Sequence, residues 1–292
     1  MMHAPVTPTT VVLTCPVCGG DETRAHFEKV AHGETWYIRR CASCGHGFVA
    51  NPPSLERLGE IQAALEADTS GSASGQMLAP PRDDLENRTF ARRIASLTTA
   101  RGKTLDVGCG DGSATLCLSL EGFRPHLLID FDPRAASTVR HIPNSTFDRI
   151  AFEDLSSDAH GPFDVIVMSH VLEHALRPLD WLAHAQNLLS RDGLLAIGLP
   201  NFGGVYRFLG ARDPFIIPPV HLQYFTPSSM RRALERSGLN VVRMESRSGV
   251  TLTPVDRPLS FRSKLTRRAW NAGAAVLNRT TRGIVLWAFA RP

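Results

Sequence analysis

The period of apolar and polar positions changes along the chain. Between residues 103 and 200, four short apolar runs (Thr104 to Val107, His126 to Ile129, Phe163 to Met168, Leu194 to Leu199) alternate with two helical stretches, Ser113 to Glu121 and one near Leu179 to Leu189. Such alternation marks βαβ units around a parallel sheet. Gly122 closes the first helix, an Arg191-Asp192-Gly193 turn follows the second, and Pro200 stops the strand after it. Thr226 is a good N-cap with Pro227 at the first helical position, and Met230, Ala233, Leu234 and Ser237 follow at helical spacing until Gly238. Leu239 to Met244 and Ile284 to Ala290 predict a final antiparallel pair. Upstream, Leu55 to Ala67 and Leu85 to Leu97 read as helices separated by the Ser/Gly run Thr69 to Gly75, whose composition permits motion. The expectation is an α/β chain: a doubly wound, mostly parallel sheet over 103–292, a helical linker or lid over 51–102, and a small separate unit over 1–50.

That small unit carries the clearest ligand spacing. Cys15-Pro16-Val17-Cys18-Gly19 and Cys41-Ala42-Ser43-Cys44-Gly45 are two C-x-x-C-G knuckles with 22 residues between them. Each tight turn aims two sulfurs at one ion, and the following Gly takes the left-handed backbone that the turn demands. Four thiolates leave no open position for water, so Cys15, Cys18, Cys41 and Cys44 predict a structural zinc ribbon. Neither pair stands at a strand-to-helix junction, which disfavours a redox role. His46, next to the second knuckle, is expected on the surface.

Composition narrows the class. With 292 residues, 43% of them apolar and 21% charged, the chain is an ordinary globular protein, and six cysteines are too few for a disulfide scaffold. Met1 to Thr14 lacks Lys and Arg, and no apolar stretch approaches the ~20 residues of a spanning helix, so a cytoplasmic protein is expected. The net charge of +4 is uneven: residues 203–292 hold 15 Lys/Arg against 4 Asp/Glu. Arg262, Lys264, Arg267, Arg268 and Arg279, interleaved with Phe261, Leu265, Trp270 and Val276, read first as a solvated amphipathic helix. The sharper readings are a grip on an acidic substrate or a peripheral membrane contact.

The segment Thr104-Leu105-Asp106-Val107-Gly108-Cys109-Gly110-Asp111-Gly112-Ser113 runs from strand through a Gly-rich turn into a helix. Ligands of nucleotide type sit at such strand ends. A dinucleotide fingerprint would need a glycine at 113, where Ser stands. The acid-x-G-x-G-x-G pattern instead resembles the cofactor motif of class I S-adenosylmethionine-dependent methyltransferases. Phe163-Asp164-Val165-Ile166-Val167 with His170-Val171-Leu172-Glu173-His174, Pro200-Asn201, and His221-Leu222-Gln223-Tyr224-Phe225-Thr226-Pro227 are similar to blocks of the small-molecule members, over roughly residues 87 to 292.

The resemblance implies a Rossmann-like fold and a methyl donor held by Asp106, Gly108, Cys109, Gly110, Gly112, Asp130, Phe131, Asp154 and Ser169. Asp106 suits the donor's cationic methionine end, and Asp130, 18 residues after Gly112, can accept both ribose hydroxyls. Asp132 reads as a turn former. Methyl transfer from a sulfonium needs alignment, and a base only for a protonated acceptor. The candidates are His221, His174 and His170, with His221 favoured in a Pro-rich loop read as a lid. Asn201 and Tyr224 are the expected acceptor contacts. Some quinone O-methyltransferases hold a divalent cation on Glu-x-x-Glu-His; here His170 replaces the first Glu, which leaves that set incomplete. The expected acceptor is a small metabolite: a zinc ribbon ahead of the catalytic domain is similar to members of this class that act on sugars and other secondary metabolites, and a phosphate-bearing compound would suit the basic C-terminal third. Ribosomal RNA and a non-catalytic cofactor-binding role are the competing readings; the absence of an aromatic-rich basic surface weighs against RNA.

Overall fold

A computed structural model describes residues 11–67, 81, 84–248, 277–278 and 280–292. The Ser/Gly run and the five basic residues of the expected C-terminal helix lie outside them. Among the described residues the strands are β1 (Thr23–Ala31), β2 (Glu34–Cys41), β3 (Gly47–Val49), β4 (Thr104–Val107), β5 (His126–Ile129), β6 (Ser145–Asp148), β7 (Phe163–Ser169), β8 (Leu189–Pro200), β9 (Gln223–Tyr224), β10 (Asn240–Arg247) and β11 (Val285–Arg291). The helices are α1 (Leu55–Ala67), α2 (Leu85–Leu97), α3 (Ser113–Leu120), α4 (Ala135–Val139), α5 (Ser157–His160), α6 (Pro178–Leu188) and α7 (Pro227–Arg236).

The large sheet has the order β10-β11-β8-β7-β4-β5-β6. Its strands β8 to β6 are parallel, while β11 pairs antiparallel with both β8 and β10. The doubly wound sheet with a closing antiparallel pair is thus present. Period-two alternation along β7 feeds two cores. Val165 and Val167 face α2 and α3 through Phe90, Ile94, Cys117 and Leu118. Ile166 and Met168 face α6 and α7 through Leu182, Ala185, Met230 and Leu234. Strand β8 starts at Leu189, so the expected Arg191-Asp192-Gly193 turn is an irregularity inside the strand, where the β7 partner jumps from Leu189 to Leu194. A Cβ at Gly193 would come within 3.0 Å of backbone oxygens, so only glycine fits that bend.

The cysteine unit does not stand apart. Strand β9, from the far side of the chain, extends its sheet to the order β1-β2-β3-β9. Cys15, Val17, Cys41 and Cys44 share a core with Phe225, Met230 and Leu234. Arg236 of α7 donates from Nη1 to the Val17 carbonyl at 2.9 Å, and Thr226 Oγ1 donates to the Cys44 carbonyl at 3.4 Å. His46 corrects an expectation: it is fully buried, bonded to Gln223 Oε1 at 2.9 Å and packed on Phe225 with ring centroids 4.7 Å apart. It ties the knuckle to β9.

Candidate active site

Sheet order reverses between β4 and β7, because the chain passes from β4 outward through β5 and β6 and then returns to the other side of β4. A crevice outside the carboxyl ends is expected at such a switch point. One of about 550 Å³ opens there, lined by Asp106, Gly108, Cys109, Gly110, Asp111 and Ser113 from the Gly-rich turn, and by Ser169 and His170 from the end of β7.

Each glycine of the turn has its own reason. Gly108, Gly110 and Gly112 all have positive φ, at 62°, 54° and 78°, a region that L side chains enter at a cost. A Cβ on Gly108 would strike Val171 Cγ2 at 2.6 Å, and one on Gly112 would strike Ile142 Cδ1 at 2.6 Å. A Cβ on Gly110 would meet nothing within 4 Å. The two outer glycines are therefore packing requirements, and the middle one leaves open space on the crevice.

Two carboxylates frame the turn. Asp106 is 2% exposed at the end of β4 and accepts from Thr115 Oγ1 at 2.5 Å. Burial pushes its pKa up to about 7, with Asp130 and Asp111 adding to the rise against the lowering bond from Thr115. A carboxylate so poorly solvated is short of a cation. Asp130 follows β5 and accepts from the Gly110 N–H at 2.8 Å and the Asp132 N–H at 2.9 Å. Burial raises its pKa, and each oxygen keeps a further lone pair for hydroxyl donors. Phe131 beside it is 59% exposed. Asp132 is paired with Arg134 Nη2 at 2.6 Å and forms the turn into α4. Asp154 is exposed in a 3-10 turn, Phe152–Asp154, and like Asp130 and Phe131 it is not among the residues lining the crevice.

Of the three candidate histidines, only His170 lines the crevice. It has a positive φ of 58° and is held by its N–H on the Gly198 carbonyl at 2.7 Å. His174 lies behind it, with Nδ1 2.7 Å from the Val220 carbonyl and Nε2 3.1 Å from the His170 carbonyl. His221 is buried, with Nδ1 donating to the Phe215 carbonyl at 2.8 Å; burial lowers its pKa to about 4. Asn201 and Tyr224 are likewise removed from the crevice. Asn201 donates to the Thr281 and Gly283 carbonyls and accepts from the Gly203 N–H, so its amide ties β8 to the approach of β11. Tyr224 is 4% exposed in β9 and donates to the His221 carbonyl at 2.9 Å. The loop expected to act as a lid is a packed layer between β8 and the cysteine unit.

Sequence reasoning missed the wall that α2 supplies. Glu86, Asn87 and Phe90 line the crevice, as does Trp287 of β11. The signal was present in Asp84, whose side chain caps α2 through the Asn87 N–H and fixes the helix start beside the crevice.

The four cysteine sulfurs lie within 4.8 Å of one another, with Cys15 to Cys44 at 3.6 Å and Cys18 to Cys41 at 3.5 Å. Sulfurs around one tetrahedral ion at ~2.3 Å stand about 3.8 Å apart, so the set fits a metal. Gly19 and Gly45 take φ of 73° and 75°, as the knuckle turns demand. Glu173, His174 and His221 also converge within 4.8 Å. Both ring nitrogens of His174 are engaged by carbonyl oxygens, however, so a metal ligand there would have to give up one of those contacts.

A family profile described as a methyltransferase domain matches residues 82–244. Among curated proteins, the ubiquinone biosynthesis O-methyltransferase of Caulobacter vibrioides is 26% identical over 117 residues, or 38% of this chain and 46% of that protein. The chain thus spans about half the length of that relative. Among solved structures, the Burkholderia thailandensis 1,6-didemethyltoxoflavin-N1-methyltransferase, bound to 1,6-didemethyltoxoflavin and S-adenosylhomocysteine, has a TM-score of 0.53 at 16% identity over 90% of this chain and 98% of its own. The [4+2]-cyclase SpnF has a TM-score of 0.54 at 16% identity over 82% and 96%. These two likenesses establish the fold, which is shared by enzymes of different chemistry. No helix of the described residues is long and apolar enough to cross a membrane. With more than half its length matched by that profile, the chain belongs to the methyltransferase domain family.

Proposed function

We propose that this chain transfers a methyl group from S-adenosylmethionine to an oxygen or nitrogen of a small metabolite in the β4/β7 crevice. The observation that carries the reading is the buried, uncompensated Asp106 carboxylate beneath three left-handed glycines at the switch point. Bound there, S-adenosylmethionine supplies a methyl group on a cationic sulfur. Asp106 would take the donor's ammonium, Gly110 would let the donor lie against the backbone, and Asp130 would accept its ribose hydroxyls, with Phe131 at the adenine side. Ser169 and His170 would then face the acceptor. Alignment and exclusion of water supply most of the rate for such an in-line displacement.

The four cysteines are proposed to bind one structural zinc, which the sulfur spacing supports. Calorimetry with S-adenosylhomocysteine tests the donor site: clear binding, weakened at least tenfold by Asp130→Ala, is expected, and equal affinity in the variant removes the ribose assignment. Screening a metabolite pool with labelled methyl donor then identifies the acceptor class.

A further inference from the structure

Glu173 is 1% exposed, and neither of its carboxylate oxygens accepts a hydrogen bond. Burying a charge in that state is costly unless something nearby compensates it. The compensating group at the crevice is His170, whose Nδ1 stands 3.5 Å from Glu173 Oε1. With Nδ1 turned to the carboxylate, Nε2 is the nitrogen left for the crevice, where the imidazole side chain is 44% exposed. Backbone strain accompanies this placement. A histidine at φ 58° persists only where its surroundings fix it, and here the Gly198 carbonyl holds its N–H while the Glu173 carbonyl holds the Leu222 N–H.

We propose that His170 is the base that receives the acceptor's proton on Nε2, and that Glu173 is its positioning residue, fixing the Nδ1–H tautomer and stabilising the imidazolium that forms. The inference rests on the methyl-transfer reading and deepens it, since it assigns the acceptor to hydroxyls or protonated amines. As the acceptor's O–H or N–H bond gives way to a bond to carbon, its proton passes to Nε2 and the carbon–sulfur electron pair stays on sulfur. A positive charge thereby moves from the sulfur to the imidazole, next to a carboxylate built to receive it. In the free protein the 3.5 Å gap is longer than a hydrogen bond, as is usual before a catalytic pair tightens.

The charged surroundings agree with this assignment. Crevice walls disfavour the imidazolium, but the Glu173 carboxylate and Glu86 on α2 outweigh them and hold the His170 pKa above the ordinary imidazole range. Burial alone would raise the Glu173 pKa; the imidazoles of His170, His174 and His221 bring it below the usual carboxylate value. Asp106 and Asp111 line the same crevice.

The test follows the His170 imidazole by NMR in the full-length protein, free and with S-adenosylhomocysteine, its resonances assigned by their loss in His170→Gln. Nδ1–H is expected as the neutral tautomer. Glu173→Gln should move the titration midpoint down by roughly 1 pH unit or more, the effect of removing one opposite charge at contact distance, with S-adenosylhomocysteine affinity unchanged. An unmoved midpoint, an Nε2–H tautomer, or zinc, magnesium or manganese binding at Glu173 would each overturn the pairing. Should Glu173→Gln fail to fold, Glu173→Asp, which keeps the charge and withdraws it, must still lower the midpoint. Failure of S-adenosylhomocysteine to bind would sink the methyl-transfer reading and leave the titration result standing by itself.

Discussion

Replacing Asp106 by Asn should stabilise the free protein at alkaline pH and weaken the donor site at once. The Asp106 carboxyl has a pKa of about 7 in the folded chain against the ordinary 3.8, a difference of about 3 units. At ~1.36 kcal/mol per unit, its ionisation costs the fold roughly 4 kcal/mol once the pH exceeds 7. The sign follows from proton counts: between pH 3.8 and 7 the folded state binds the proton and the unfolded state does not, so stability from this group is complete below about 3.8, falls progressively across that window, and is fully lost above 7. Asn removes the charge and still accepts from Thr115 Oγ1. Its amide N–H groups need a partner, which offsets part of the gain, so about 1–3 kcal/mol is expected at pH 8, or roughly 2–4 °C in Tm per kcal/mol. At pH 5 the folded wild-type carboxyl is neutral while the unfolded one is ionised, so only about 1.6 kcal/mol of the roughly 4 has been lost, and the variant's advantage should be clearly smaller there than at pH 8. His126 and His221, both lowered to about 4 by burial, titrate alike in the two chains and cancel from the difference. Thermal melts at pH 5 and pH 8, with and without S-adenosylhomocysteine, read both effects. The ligand's ammonium loses a charge-assisted bond worth ~1.5–3 kcal/mol, so its affinity should fall at least tenfold in the variant. An Asn variant no more stable than wild type at pH 8, or equally stabilised at both pH values, refutes the buried-charge argument.

The glycines of the turn should separate in a paired experiment. Gly112→Ala meets Ile142 and Val139 side chains within 3 Å on top of an unfavourable φ, for a loss of roughly 2–5 kcal/mol in denaturant unfolding. Gly110→Ala meets no atom and should lose only about 1–2 kcal/mol, while reducing S-adenosylhomocysteine affinity; equal losses of stability would contradict the distinction. Asn201→Ala should cost about 1–3 kcal/mol by orphaning buried backbone groups, with donor affinity unaltered, and a selective loss of ligand binding would return Asn201 to the site.

Much of the frame could be read from local signals. Helix α2 ends where its apolar period ends, at Leu97, and the Thr226-Pro227 start of α7 appears as a full capping box with Ser229. The turn at 108–112 was legible because a backbone with φ above 50° at three alternate positions demands three glycines. What stayed hidden depends on long-range pairing. Strand β9 is two residues long, too short for a period, and exists because β3 offers it an edge. His46 looked like a surface residue because its partners, Gln223 and Phe225, are some 180 positions away. Asn201 and Tyr224 looked like ligand contacts for the same reason: a polar side chain after a strand suits a site and a buried tie equally, until its acceptors are known. Glu86 carried no motif, and only the packing of Phe90 and Ile94 on the sheet turns that edge of α2 to the crevice.

The join between the cysteine unit and β9 makes metal removal a regional perturbation. Long-range ties from the knuckles reach α7 and β9: Arg236 to Val17, Thr226 to Cys44, His46 to Gln223 and the β3–β9 pair. The donor side hangs on other bonds, among them Thr115 to Asp106, Gly110 to Asp130 and the parallel ladder of β4 and β5. Chelation of the proposed zinc, or Cys41→Ser, should therefore speed amide hydrogen exchange over β3, β9 and the first turn of α7. Residues 104–115 should keep their protection and S-adenosylhomocysteine its affinity, since local opening follows the bonds that are cut. Uniform loss of protection across both regions would mean that the two sides unfold as one unit. An unchanged β9 would mean that the sheet pairing, and not the metal, holds the cysteine unit in place.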